Sequence, residues 1–199
     1  VADKHTLIME TNALEPLVKL MHERDVETQL RAVSAIRGLS VDAEIRIQIV
    51  ELGGVEPLLD LTNTEDVELQ HEVLSTLCNL SLSGAIGEKH MGFIQKIGVK
   101  QLVTFLCSVD NTYRLFGALT LGNVASAQMH HNEIMEEGAL KPLVNISDTS
   151  DLETQRAIAY ALCNLATTFT NRLPIVNRGG LIPIISLACS EDPEDMFVA

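Results

Sequence analysis

The sequence predicts an all-α fold, a solenoid of stacked helical repeats, on three observations. First, the segment Gly53-Gly54-Val55-Glu56-Pro57-Leu58-Leu59 has counterparts along the whole chain. These begin at Asn12, Ile97, Gly138 and Gly179, and their anchors Pro16, Pro57, Gln101, Pro142 and Pro183 lie 41, 44, 41 and 41 residues apart. A fixed period in this range marks stacked supersecondary units. Second, an acidic residue stands nine places after every anchor: Asp25, Asp66, Asp110, Asp151 and Asp192. Third, the chain is 46% hydrophobic but only 4% aromatic and has no Trp. Its core must be Leu, Ile, Val and Ala, which suits close packing of helices.

The period divides the chain into one continuous array: full repeats at about 1–40, 41–82, 83–127 and 128–169, and a truncated fifth at 170–199. Within a repeat the elements follow in order. Gly53-Gly54 breaks one helix, because Gly accepts the positive φ that follows a helix end. Pro57 enters the first turn of the next, where its missing N–H costs nothing. Thr62-Asn63-Thr64-Glu65-Asp66 is a polar turn, and Asp66 is placed to cap the helix that follows. That long helix is expected from about Val67 to Ser81, about sixteen residues or 24 Å, with Val73, Leu74, Leu77 and Leu80 at helical spacing. A third, short helix completes the unit, as in Ile45–Val50 and Asn132–Met135. Ser83-Gly84-Ala85-Ile86-Gly87 lengthens one junction by three residues, as loops permit cheaply.

Charge and residue usage narrow the function. With 14 Lys and Arg against 27 Asp and Glu, the net charge is −13. That opposes nucleic-acid binding, which needs a basic stripe, and favours basic or neutral protein partners. Cys78, Cys107, Cys163 and Cys189 fall in recurring slots without metal-ligand spacing and read as buried or half-buried apolar residues. Free thiols fit a reducing compartment, so a cytoplasmic and also nuclear location is expected. No apolar run is long enough for membrane insertion, and the first residues do not form a signal peptide. Val1 opens abruptly and Met196–Ala199 stop where a helix continues, so the chain reads as a piece of a longer array. The six histidines lack a Ser or Cys partner, and His130-His131 reads as a polar turn between helices. No enzyme activity, cofactor or metal is expected.

The repeat resembles the armadillo repeat. The resemblance rests on the Gly-Gly-Val-Glu-Pro-Leu segment, the acidic turn, and long helices that end like Val73–Leu80 and Ile158–Leu165. It covers the whole chain and implies a right-handed α-α superhelix with the long helices lining a concave groove. It also implies a non-catalytic scaffold or adaptor that binds an extended protein segment there. In that family an Asn near the end of the long helix hydrogen-bonds the partner's main chain. The matching slot, twenty-two after each anchor, reads Gly38, Asn79, Asn123 and Asn164, so the first repeat lacks a rung. An amide offers both donor and acceptor, as such a role requires; the alternative is an Asn bonded locally at a helix end.

Helical spacing adds the rest of that face. Residues four, seven or eight, and eleven before the slot are Ser34, Arg31, Leu30 and Glu27, then Ser75, Glu72, His71 and Glu68. They continue as Leu119, Phe116, Leu115 and Thr112, then Tyr160, Ala157, Arg156 and Glu153. Which of each seven/eight pair faces the groove stays open. Phe116 and Tyr160 are candidate apolar anchors, with packing between repeats as the alternative. The expected binding residues are thus Arg31, Ser34, Glu72, Ser75, Asn79, Phe116, Leu119, Asn123, Arg156, Tyr160 and Asn164. An importin-alpha-like nuclear transport adaptor is a further alternative, but that family has Trp where Ser34, Ser75, Leu119 and Tyr160 stand. Another is a structural segment of a larger assembly that makes contact through its convex face or ends.

Overall fold

The computed structural model describes residues 12–82, 93–94 and 96–188. It divides into two compact units, Val1–Ile97 and Gly98–Ala199. Cys189, Asp192, the Ser83–Gly87 loop and both chain ends lie outside the described residues. Among those described there is no strand, and no helix is long and apolar enough to cross a membrane.

The first unit holds α1 (Leu14–Leu20), α2 (Val26–Leu39), α3 (Ala43–Glu51), α4 (Val55–Leu61) and α5 (Val67–Leu80). The second holds α6 (Val99–Leu106), α7 (Asn111–Ala125), a 3-10 turn (Gln128–His130) and α8 (His131–Glu136). It continues with α9 (Leu140–Asn145), α10 (Leu152–Ala166), α11 (Phe169–Asn177) and α12 (Leu181–Ala188). The long helices run 14 or 15 residues, a little short of the sixteen expected.

Each long helix starts where its sequence dictates. Asp25, Asp66, Asp110 and Asp151 all have extended backbone angles and accept a hydrogen bond from a first-turn N–H. The acceptor distances are 2.8 Å to Thr28 N, 2.8 Å to Leu69 N, 2.7 Å to Thr112 N and 3.2 Å to Thr154 N. The recurring aspartates are caps, and each satisfies a donor that the helix leaves orphaned. The Gly pair does two separate jobs. Gly53 has φ 79°, and a Cβ on Gly54 would lie 2.7 Å from Ile49 Cγ2. One Gly turns the chain and the other lets two helices approach.

Long helix packs on long helix in each unit, α2 on α5 and α7 on α10. The core is aliphatic, with Val33, Ile36, Leu58, Leu69, Val73 and Leu77 fully buried in the first unit. Leu102, Leu121, Val124, Ile134, Ile158, Leu162 and Leu165 fill the same role in the second. Two polar devices repeat as well. Thirteen places after their anchors, Gln29 and Gln70 donate back to the turn carbonyls of Glu23 (2.7 Å) and Thr64 (3.4 Å), and Gln155 does so to Thr149. Eleven places before the following anchor, Arg46, His131 and Arg172 donate into the end of the preceding long helix. The distances are 3.0 Å to Ser40 O, 2.7 Å to Ala125 O and 2.9 Å to Ala166 O. Positive groups are favoured there, because the carbonyls of a helix end are otherwise unsatisfied.

That second device corrects the expectation for His130-His131. His130 does close the 3-10 turn that leads into α8 and His131 opens that helix, but neither is a solvated polar residue: they are 4% and 1% exposed. His131 is held in the interior because its ring joins Ala125 O to Thr168 Oγ1, at 2.7 Å each. Burial lowers the pKa of His130. Cys78 and Cys163 are half-buried as expected, whereas Cys107 is exposed because it closes α6 at the surface. Burial pushes the Cys163 thiol up, away from the reactive thiolate. No cluster of three metal-ligating side chains occurs among the described residues.

Candidate functional site

The predicted binding residues fall on two packed helix pairs, one in each unit. Arg31, Ser34, Glu72, Ser75 and Asn79 lie on α2 and α5. Phe116, Leu119, Asn123, Arg156, Tyr160 and Asn164 lie on α7 and α10.

On α2 and α5 the polar groups are tied to one another. Glu72 accepts from Ser34 Oγ at 2.9 Å and from Arg37 Nε at 2.8 Å. Its side chain is only 13% exposed, against 45% for Arg37. Arg31 pairs within its own helix, with Nε 2.7 Å from Glu27 Oε1, and both side chains are well exposed. Ser75 is buried. Asn79 Nδ2 donates to Ser40 Oγ at 3.1 Å and approaches Arg37 O at 3.5 Å. At Gly38 an added Cβ would meet nothing within 4 Å, so the missing rung is not forced by crowding.

On α7 and α10 the corresponding surface is open and apolar. Leu115, Leu119, Glu153, Arg156, Ala157 and Tyr160 line a cleft of about 380 Å³. All six stand at the spacings that the sequence assigned to the face. The lining takes both Arg156 and Ala157, and it takes Leu115 but not Phe116, which is half-buried. Asn164 Nδ2 donates to Gly122 O at 2.9 Å. Asn123 is 8% exposed, so its amide reaches the surface less than the half-buried Asn79 and Asn164.

Asn79 and Asn164 do the same thing. Each reaches the carbonyl 42 residues earlier, on the preceding long helix. The local bond is therefore real, and an amide still offers Oδ1 and a second N–H to a ligand. Removing either side chain therefore also removes a bond between two long helices.

Two residues at this site escaped the sequence reading. Arg37 completes the Glu72 cluster from a slot that varies too freely to stand out. Gly122 carries a signal, since a Gly inside a long helix usually has a packing reason. A Cβ there would sit 2.5 Å from Tyr160 Cδ1.

Known proteins agree with this architecture. Residues 42–82 and 132–167 match the armadillo/beta-catenin-like repeat. An engineered protein solved by a structural genomics consortium is 31% identical, with 94% of this chain and 76% of that one covered and a TM-score of 0.81. A designed armadillo repeat protein superposes with a TM-score of 0.86 at 22% identity, covering 97% of this chain and 82% of its own. Another, solved in complex with the peptide (KR)4, has a TM-score of 0.84 at 23% identity and coverages of 97% and 81%. No curated protein matches the chain. The repeated caps, the helix register and these likenesses together show that the chain belongs to the armadillo/beta-catenin-like repeat family.

Proposed function

We propose that this protein is a non-catalytic interaction scaffold whose α7/α10 cleft takes an apolar side chain from an extended protein segment. The cleft itself carries the reading: Leu115, Leu119, Ala157 and Tyr160 make most of its lining apolar, and Glu153 and Arg156 add one charge of each sign. Asn164 stands one turn beyond Tyr160, in reach of the segment's main chain. A designed armadillo repeat protein in complex with the peptide (KR)4 supports peptide binding by this fold in general. The net charge of −13 favours basic residues flanking the inserted one, through long-range steering.

Magnitudes explain why the cleft matters more than the amides. Each net hydrogen bond contributes about 0.5–1.5 kcal/mol, while micromolar binding needs about 8 kcal/mol beyond ordering costs. Full burial of one Leu or Phe side chain adds about 1.5–3 kcal/mol. Side-chain burial must therefore supply much of the affinity and the choice of partner. The two units acting as one continuous array, and a cytoplasmic or nuclear location for a chain with free thiols, belong to the same proposal.

A phage-displayed library of 12-residue peptides tests it. Selected peptides should share an apolar residue at one position, and Leu119→Glu should weaken them at least tenfold. Unchanged affinity in both Leu119→Glu and Tyr160→Ala would sink the proposal.

A further inference from the structure

We propose that Gly122 is a positioning residue that sets the shape of the α7/α10 cleft by giving the Tyr160 ring its seat. The inference rests on the segment-binding reading of that cleft, and it adds the residue that decides what size of side chain the cleft admits.

The geometry is specific. An added Cβ at position 122 would lie 2.5 Å from Tyr160 Cδ1 and 3.0 Å from Cε1. Carbon atoms in contact prefer about 3.5–4.0 Å, so the ring and a Cβ cannot share this space. The next nearest atom, Ala161 N, is at an ordinary 3.5 Å. Tyr160 is thus the one severe obstacle.

Retreat of the backbone is opposed from the same helix. Asn164, one turn after Tyr160, holds Gly122 O at 2.9 Å. Helix α10 therefore grips a single residue of α7 twice, by its bare Cα and by its carbonyl. With residue 122 held, a larger side chain must displace the ring. Tyr160 lines the cleft and is 36% exposed, so the open direction for that displacement is outward. A Gly inside a helix weakens it relative to Ala, and here the weakness is the condition for the ring's seat.

Thermal unfolding of Gly122→Ala in two backgrounds gives the sharpest test. With Tyr160 present the substitution should lower Tm. With Tyr160→Ala it should raise Tm, because Ala is the better helix former once the obstacle is gone. An equal fall in both backgrounds would overturn the proposal.

A chemical readout follows the ring directly. The chain has two tyrosines and no Trp. Tyr113 packs on Phe105 with ring centroids 5.4 Å apart and serves as the internal control. Gly122→Ala should speed nitration of Tyr160 several-fold and leave Tyr113 unchanged; equal rates at Tyr160 would count against the seat.

Library-selected peptides supply the third readout. Gly122→Ala should weaken them at least tenfold in the wild-type background and less than twofold beside Tyr160→Ala. Additive losses would overturn the role in the cleft. If the wild-type chain selects no peptide, the segment-binding reading fails, while the melting cycle and the nitration rates still decide whether Gly122 seats the ring.

Discussion

Ser34, Arg37 and Glu72 in the first unit occupy the register positions that Leu119, Gly122 and Ala157 occupy in the second. In the first unit the three form a closed polar cluster centred on Glu72. In the second they leave an apolar cleft of about 380 Å³ with the Tyr160 ring along one side. The backbone frame is shared: each long helix has its Asp cap, and Asn79 and Asn164 make the same reach to the preceding helix. One frame can thus carry a locked surface or an open one, because the helix register fixes where a side chain stands and not what it is. Repeat proteins separate stability from recognition in this way, with nearest-neighbour packing supplying the first.

Swapping the chemistry at one register position should have the largest effect. Ala157→Glu would put a carboxylate into the apolar cleft, beside Arg156 and Glu153 but without the Arg37 and Ser34 bonds that hold Glu72. A cost of about 1–3 kcal/mol in urea unfolding is expected for a polar group set in an apolar lining without matched partners. The reverse change, Glu72→Ala, should cost about 1 kcal/mol or less, because Arg37 is nearly half exposed and can return to water. Equal costs would mean that the contrast between the two faces has no energetic content.

Where the units agree, substitutions should agree. Asn79→Ala and Asn164→Ala should each cost about 1 kcal/mol, the net value of one hydrogen bond. Hydrogen exchange at the ends of α2 and α7 would localise each loss. A cost confined to one unit would show that the two amides are not equivalent.

The smallest effect separates the units by pH. His22 and His71 of the first unit are exposed, whereas His130 of the second is buried and its pKa is lowered, chiefly by desolvation. Above the unfolded value of 6.5 the group is neutral in both states and contributes no pH dependence. Below it the unfolded chain binds a proton that the folded chain resists, so stability falls as pH falls towards the depressed folded value. Protection factors at α8, exchange rates taken relative to the intrinsic rate at each pH, should fall between neutral pH and pH 5 and lose that dependence in His130→Gln. The same fall in α2 would contradict the assignment.

The sequence by itself determined the all-α repeat fold, the order of helices in each repeat and the aspartate caps. It did so because these depend on local chemistry: backbone freedom at Gly, a missing donor at Pro, and carboxylates near orphan N–H groups. Helical spacing also put all six cleft residues among the candidates for one face, although only Leu119, Arg156 and Tyr160 of them were among the expected binding residues. Which of them turn inward was not legible. Leu115 and Phe116 are adjacent and both apolar, and only packing decided that Leu115 lines the cleft. The burial of His130 and His131 was not legible because nothing local shows that Ala125 O and Thr168 converge on the His131 ring. The partners of Glu72 and the seat under Tyr160 were likewise tertiary decisions. Both join residues 35 to 38 apart in sequence, on helices that meet only when the repeats stack.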